Sequence, residues 1–397
     1  MNLIYGNTYW NNINKNYKNY PKLSNNEVCD VVVVGAGLAG CLTAYYLSLY
    51  NVNTILIEKD LIGSGTTSSM DGMLQPELSK TLLDLSRIIP KEAAERAYKL
   101  SIKASDEFEN TLFHLCKVCE FNRKDTLYIN PLVDLKKEYN LRKKLDFEVK
   151  YINLPDCIEK FTINDEDAIV TKNTATIDPL KFSHTLVKAF EALGGRIYEQ
   201  TPLISYDYSE NKMKVSTNGF NILCKKIVFC TGLSTLKLFK KPSFSLKNTF
   251  GIVTNPVNGV KDCIDKYSMV IKDNQNLLHL RTTSDNRIMV LQYCTDEMKN
   301  MDIEAILKEK SQYLLRKVQS MYTDYNMLNI DYEWSSRYIE SKDDLTYIGT
   351  HTKYPNCYFN LPAGTNSNTY SIIGAQIIKD LILYGSDCDK NLFSFER

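Results

Sequence analysis

The sequence has no excess of either charge: forty-eight basic residues stand against forty-seven acidic ones. No net field gathers DNA, RNA or an anionic membrane, which argues against a nucleic-acid partner. No apolar run reaches membrane-spanning length, and the opening MNLIYGNTYWNNINKNYKNYPKLSNN has no apolar core with a basic flank, so no signal peptide is expected. A disulfide framework is missing too. The eleven cysteines are odd in number and scattered, with Cys29, Cys224 and Cys230 inside apolar strands; reduced thiols and a cytoplasmic location are expected. Cys116 and Cys119 form a C-x-x-C without a second pair at zinc spacing, so they read as core thiols and no metal site is expected. The four histidines, His114, His184, His279 and His351, have no motif around them, and neither a Ser-His-Asp set nor a carboxylate pair is apparent.

What is present is enough chain for two domains: 397 residues, 44% of them hydrophobic. One stretch organises the rest, DVVVVGAGLAGCLTAYYLSLYNVNTILIE from Asp30 to Glu58. Val31 to Val34 is an unbroken β-branched run, the pattern of a parallel strand buried on both faces. Gly35, Gly37 and Gly40 then give G-x-G-x-x-G, which allows a tight turn, close approach of a pyrophosphate, and close packing of helix on strand. The helix N-terminus would point N–H groups and its positive dipole end at phosphates. Ile55 to Ile57 is a second strand, and Glu58 stands where a carboxylate accepts hydrogen bonds from a ribose diol. A carboxylate there repels a 2′-phosphate, which leaves FAD or NAD. A glycine turn that binds nothing is the bland alternative.

Beyond Glu58, LIGSGTTSSMDGMLQPE is rich in Gly, Ser and Thr where a plain NAD fold would proceed to a helix, and it reads as a loop folded over more of a cofactor. Helical spacing follows from Leu78 to Cys119, broken at Pro90, and again from Leu132 to Lys144. Thr126 to Asn130, Phe147 to Asn153 and Ala168 to Thr171 read as extended. Asp178 caps a helix with Pro179 at its first position, ended by Gly194-Gly195. Arg196 to Tyr198 is a strand, 203–224 a meander with turns near Glu210-Asn211 and Asn218-Gly219, and Lys226 to Cys230 a second buried parallel strand. Strands at 249–257, 267–272, 277–281 and 288–291 precede a long amphipathic helix from Met301 to Tyr322. Last come a strand at Tyr358 to Leu361, a Pro-Ala-Gly-Thr-Asn turn and a helix from about Tyr370 to Leu383. The fold class expected is α/β: a discontinuous Rossmann-like domain from 28–80, 150–235 and 331–397, and an α+β substrate domain with a mainly antiparallel sheet from 81–149 and 236–330. Residues 1–27 form a leader expected to run over the surface, pinned by Tyr9 and Trp10.

Three segments together resemble the D-amino-acid-oxidase-like superfamily of FAD-dependent oxidoreductases, which includes glycine oxidase and sarcosine oxidase: VVVVGAGLAG with ILIEKDLIGSGTTSSMDGM, then KIVFCTG, then EWSSRYIESKDDLTYIG with YFNLPAGTNSNTYSIIGAQIIKDL. The leader and the GSGTTSS loop look most like a branch that sometimes carries a Rieske iron–sulfur domain; the paired Cys and His ligands of such a domain do not occur, and none is expected. The resemblance implies FAD as cofactor, with Gly35, Gly37, Leu38, Ala39 and Gly40 at the pyrophosphate, and Glu58 and Lys59 at the adenosine ribose. Ser64, Gly65, Thr66 and Thr67 would wrap the phosphates and ribityl chain, and Gly72 and Met73 would pass the isoalloxazine edge. Leu203 would meet adenine through its backbone, Thr231 and Gly232 would lie near the dinucleotide, and Gly364, Thr365 and Asn366 would direct backbone N–H groups at the flavin O2 end. The implied chemistry is oxidation of a C–N bond in a small amine or amino acid by hydride transfer to flavin N5, with oxygen or an electron-acceptor protein taking the electrons. A dehydrogenase serving an iron–sulfur or quinone partner, or a flavin-binding scaffold, are the alternatives.

The substrate end departs from that pattern. An arginine four residues after the tryptophan matching Trp334 commonly holds the substrate carboxylate; that position is Tyr338, and Arg337 stands one earlier. On a strand a one-residue shift reverses the face, so Arg337 is expected to turn away, which leaves Arg281 as a second candidate clamp. The usual glycine pair is replaced by Leu291-Gln292, and the His-Gly repeat by Thr365 to Thr369. Cys357, beside a strand, is not expected to attach flavin.

Overall fold

The computed structural model describes residues 4–78, 80–116, 119–153, 167–209, 212–239, 244–257, 266–274, 276–294, 302–321 and 327–397. The turn expected at Glu210-Asn211 and the side chains of His114 and Cys116 lie outside the described residues.

Val31–Val34 is buried at every position. Val31 and Val33 pack with the helices Leu38–Leu49, Pro179–Ala192 and Ser367–Tyr384, whereas Val32 and Val34 pack with a small sheet on the opposite face. That two-sided cover is why the run reads as continuously apolar rather than alternating. The strand sits inside a six-stranded sheet ordered Tyr347–Thr350, Cys357–Leu361, Lys226–Phe229, Val31–Val34, Thr54–Ile57, Arg196–Tyr198. All its neighbours pair in parallel except the first two. Pieces of chain separated by more than a hundred residues therefore meet edge to edge. The small sheet, Ser205–Ser209, Lys212–Ser216, Asn221–Cys224 and Glu27–Val28, is the expected meander plus a strand donated by the end of the leader.

The second unit is a ten-stranded sheet. Its order is Ile4–Gly6, Ile330–Ser341, Phe244–Thr254, Ile288–Tyr293, Asn276–Thr282, Tyr267–Asp273, Asn122–Ile129, Ala168–Thr176 and Met73–Leu74, with Val149–Ile152 also pairing with Ala168–Thr176. It is antiparallel except where Tyr267–Asp273 meets Asn122–Ile129. The helix Ile303–Met321 covers one face with Ile306, Leu307, Leu314 and Val318.

Several sequence expectations are corrected here. Met73–Leu74, Ala168–Thr176 and Ile330–Ser341 were expected in the nucleotide unit, yet they are strands of the ten-stranded sheet. Ala168–Thr176 runs nine residues instead of four, because partners on its flanks supply hydrogen bonds that the exposed Lys172-Asn173 interruption hides from the hydrophobic pattern. The leader, expected to run over the surface, also adds a strand to this sheet. Ile4 to Gly6 pairs with Ser336 to Trp334, and a three-residue edge strand leaves no periodicity to read. Tyr9 and Trp10 are each 1% exposed, as the expected pinning requires. Pro90 separates helices Leu82–Leu85 and Lys91–Cys116, and the Asp178 carboxylate caps Lys181 N at 2.8 Å with Pro179 at the first helical position. Eight cysteines among the described residues are free thiols, seven of them buried.

Candidate functional site

A cavity of about 980 Å³, within the usual range for a ligand site, is lined by the last residues of the strands Val31–Val34, Thr54–Ile57 and Lys226–Phe229 and by the loops that follow them. Its glycine turn is built by exclusion. A Cβ at Gly35, whose φ is +100°, would lie 2.6 Å from Cys230 O, and one at Gly40 would lie 1.8 Å from Gly35 O. Only glycines let the first helix rest on the first strand and bring Lys226–Phe229 alongside.

Eleven predicted residues line this cavity: Gly35, Gly37, Glu58, Lys59, Ser64, Gly65, Thr66, Thr67, Leu203, Thr231 and Gly232. Glu58 follows the last residue of its strand, where its carboxylate accepts from Ala36 N at 2.7 Å and Asp60 N at 2.9 Å. Burial pushes its carboxyl above the ordinary glutamate value, and the two backbone N–H groups offset part of that rise. Thr67 lies on a short 3₁₀ turn, Thr66–Ser69, and its hydroxyl accepts from Leu38 N at 3.0 Å. Leu38, Ala39 and Gly40 are buried in the helix behind the turn.

The last segment was expected to turn backbone N–H groups of Gly364, Thr365 and Asn366 toward the flavin. Gly364, at φ +79°, donates its N–H to Ile339 O at 2.7 Å, so that group is already committed. Thr365 and Asn366 are buried, and their Oγ1 and Oδ1 atoms have no described partner, while Asn366 Nδ2 donates to Gln75 O at 2.7 Å. Unpaired polar atoms this deep call for a polar ligand or water. Glycines that admit no side chain at the turn and an acid at the end of the second strand fit a bound dinucleotide.

A second cavity of about 50 Å³ shares Thr66, Gly232 and Leu233 with the first. Its wall includes Met70, Thr249, Tyr293, Ser336, Arg337 and Tyr338. Arg337 is therefore part of this wall despite the one-residue shift. The leader strand pairs with Trp334 to Ser336 and stops one residue short of Arg337. Tyr338 donates to Cys294 O at 3.2 Å, and its ring meets Tyr293 edge-on at 5.3 Å. Burial pushes both phenols well above their ordinary range, so they stay neutral.

Arg281 is placed elsewhere. It is 3% exposed, donates to the carbonyls of Thr282, Asp71, Gly72 and Ile177, and lines neither cavity. A guanidinium bound by backbone carbonyls has no fork left for a carboxylate. Gly72 and Met73 are buried beside it. Cys357 is 1% exposed, in the core of its strand.

Sequence reading missed Asp71 and its partners. Asp71 Oδ2 lies 2.6 Å from His279 Nδ1 and accepts from Tyr293 OH at 3.0 Å; Oδ1 accepts from Met73 N and Asn368 Nδ2, both at 2.9 Å. Burial works to raise this carboxyl, but the His279 contact and the other hydrogen bonds outweigh it and hold it below the usual aspartate value. The available signal was an acid within the run of uncharged residues from Leu61 to Pro76. A chain-local reading takes that Asp-Gly for a turn.

A family model described as FAD dependent oxidoreductase, DAO, matches residues 30–381. Glycine oxidase of Bacillus subtilis is 23% identical over 370 residues, covering 89% of this chain and 93% of that protein. A Bacillus subtilis protein named as a Rieske 2Fe-2S iron-sulfur protein, YhfW, is 22% identical over 410 residues, covering 98% of this chain and 75% of that protein. The crystal structure of glycine oxidase from Geobacillus kaustophilus superposes with a TM-score of 0.78 at 15% identity, covering 94% of this chain and 99% of that one, which shows a common fold. No helix among the described residues is long and apolar enough to cross a membrane. With the family model spanning the glycine turn, all but Ile4 of the lining of the two cavities and most of the final helix, the chain belongs to the DAO family of FAD-dependent oxidoreductases and takes FAD as its cofactor.

Proposed function

We propose that this enzyme oxidises the C–N bond of a small amino acid or amine, the bound FAD accepting a hydride at N5 from the carbon that carries the nitrogen. The observation that carries this reading is the shared wall. Thr66, Gly232 and Leu233 face both the dinucleotide cavity and the small one, so a molecule in the small cavity sits beside the cofactor. About 50 Å³ holds roughly four water-sized groups, taking about 10–15 Å³ for each, which suits a substrate of few heavy atoms. Arg337 supplies the positive charge for a carboxylate, and the neutral phenols of Tyr293 and Tyr338 orient the rest without an opposing charge. No side-chain base is required if the amine binds neutral. In this reading Glu58 and Lys59 hold the ribose, and Ser64, Gly65, Thr66, Thr67, Thr231 and Gly232 hold the diphosphate and ribityl chain. The named substrates of relatives, glycine and sarcosine, have the size and charge the cavity favours. The buried free thiols support a reducing, cytoplasmic setting.

Anaerobic addition of glycine, sarcosine, proline and simple amines to the yellow holoprotein tests the proposal: a small carboxylate-bearing amine should bleach the flavin bands. Arg337→Ala should raise the concentration needed by about a hundredfold, the worth of a charge-assisted bidentate contact. Failure of every amine to bleach the flavin sinks the reading. The YhfW similarity favours a second outcome, transfer of electrons to an iron–sulfur partner. Fast reduction of an artificial acceptor with slow peroxide formation would select it.

A further inference from the structure

The chain has two tryptophans, and their indoles bind consecutive carbonyls of the cofactor-side loop. Trp334 Nε1 donates to Ser69 O at 3.2 Å and Trp10 Nε1 to Met70 O at 2.7 Å. The next two carbonyls belong to Arg281, whose Nη1 reaches Asp71 O at 3.0 Å and Gly72 O at 3.4 Å; Gly72 O also accepts from Ile177 N at 2.8 Å. Four successive carbonyls outside any regular ladder are thus satisfied by donors from the leader, two strands of the ten-stranded sheet and the segment after Thr176. Buried irregular backbone holds one conformation only when its polar groups are met in this way.

The clamp is tight and internally linked. A Cβ at Gly72 would lie 2.2 Å from Ile177 O and 2.9 Å from Arg281 Nη1. The Trp10 ring lies over the Arg281 guanidinium, 5.7 Å from centroid to Cζ, and both side chains are buried. The clamped stretch continues directly from Thr66, which faces both cavities, and its own Ser69 and Met70 form part of the small one. The leader reaches the cofactor cavity at two more points: Ile4 lines it, and Leu23 N donates to Thr201 Oγ1, whose residue also lines it.

We propose that Trp10 and Arg281 are positioning residues for the cofactor, fixing the backbone of residues 69–72 against FAD and making the leader a structural part of the FAD site. The inference rests on FAD dependence and is independent of which substrate is oxidised. Arg281, which the sequence offered as a substrate clamp, acts here on the protein's own carbonyls.

The test uses the full chain. Trp10→Phe keeps a ring over Arg281 and removes the indole N–H. Arg281→Lys keeps the charge and removes the fork. Tyr9→Phe, from the same helix, removes the bond from Tyr9 OH to Asp285 and leaves residues 69–72 untouched. FAD affinity of the apoprotein is read by flavin fluorescence, the holoprotein by its visible flavin bands, and the apoprotein by its melting temperature. Trp10→Phe and Arg281→Lys should each weaken FAD about fivefold or more, the worth of one neutral hydrogen bond, with shifted flavin bands. Tyr9→Phe should lower the melting temperature while leaving affinity within about twofold and the bands unshifted. FAD affinity within twofold of wild type and unshifted bands in either clamp variant overturns the proposal, as does an equal loss of affinity in Tyr9→Phe. A wild-type chain that binds no FAD would instead overturn the cofactor assignment itself.

Discussion

Asp71 Oδ2 stands 2.6 Å from His279 Nδ1, and both side chains are buried. The contact joins the loop that follows the Thr66–Ser69 turn to the middle of the strand Asn276–Thr282, and Tyr293 OH extends it to the small cavity. It gives the cofactor-side loop a charged anchor next to its four carbonyl contacts.

Removing His279 takes one of four hydrogen bonds from the buried Asp71 carboxylate and leaves those from Tyr293, Met73 N and Asn368, so His279→Ala should destabilise the protein by roughly 1–3 kcal/mol. The pH dependence has a definite sign. Because the Asp71 carboxyl is held below its usual value of about 3.9, its stabilising contribution is complete above that pH and is lost as pH falls through the depressed value. Urea unfolding of wild type and Asp71→Asn between pH 6 and pH 3 should give a constant difference above about pH 5 that narrows below pH 4. A difference that does not change with pH would contradict this.

Glu58 behaves in the opposite way. Burial raises its carboxyl above the ordinary value, and a protonated carboxyl has fewer acceptor positions for a ribose diol. FAD affinity should therefore fall as pH is lowered through that raised value. Glu58→Gln should weaken FAD by about tenfold and remove most of the pH dependence. Fluorescence titration from pH 7 to pH 4.5 checks both.

Two glycines, Gly40 buried behind the glycine turn and Gly65 in the wall of the larger cavity, should separate fold from ligand. Gly40→Ala puts a methyl 1.8 Å from Gly35 O, so it should depress apoprotein stability and flavin content together. A Cβ at Gly65 meets nothing within 4 Å, so Gly65→Ala should leave the apoprotein melting temperature unchanged and weaken only FAD. Comparing melting temperature with flavin content after purification distinguishes the two.

Away from the cofactor, Arg142 is buried between Glu77 and Glu138, with Nη1 to Glu77 Oε1 at 2.9 Å and Nε to Glu138 Oε1 at 2.8 Å. Glu138 also accepts from Leu82 N and Leu83 N, so the cluster fixes the start of the helix Leu82–Leu85. Arg142→Ala leaves two buried carboxylates facing each other and should destabilise by roughly 3–5 kcal/mol. Denaturant unfolding measures it, and a loss under 1 kcal/mol would refute the account.

Much of the dinucleotide half was legible because its rules are local. The run Val31–Val34, the three glycines, the acid at 58 and the Asp178-Pro179 helix start each depend on a few neighbouring residues, and each lies where the pattern puts it. The substrate half was less legible. Strand lengths such as Ala168–Thr176 depend on partners that alternation does not reveal, and three strands expected with the nucleotide unit joined the other sheet.

The amino-acid sequence by itself determined the strand, glycine turn and helix, the return of two later strands beside the first, and the acid directly after the second strand, because backbone geometry there follows from neighbouring residues. Tertiary structure alone decided which arginine faces the small cavity, which one binds carbonyls, and that Asp71 meets His279 across 208 residues. The physical reason is that a side chain's partner is set by sheet register and strand order, and a shift of one residue in either would reverse every such contact.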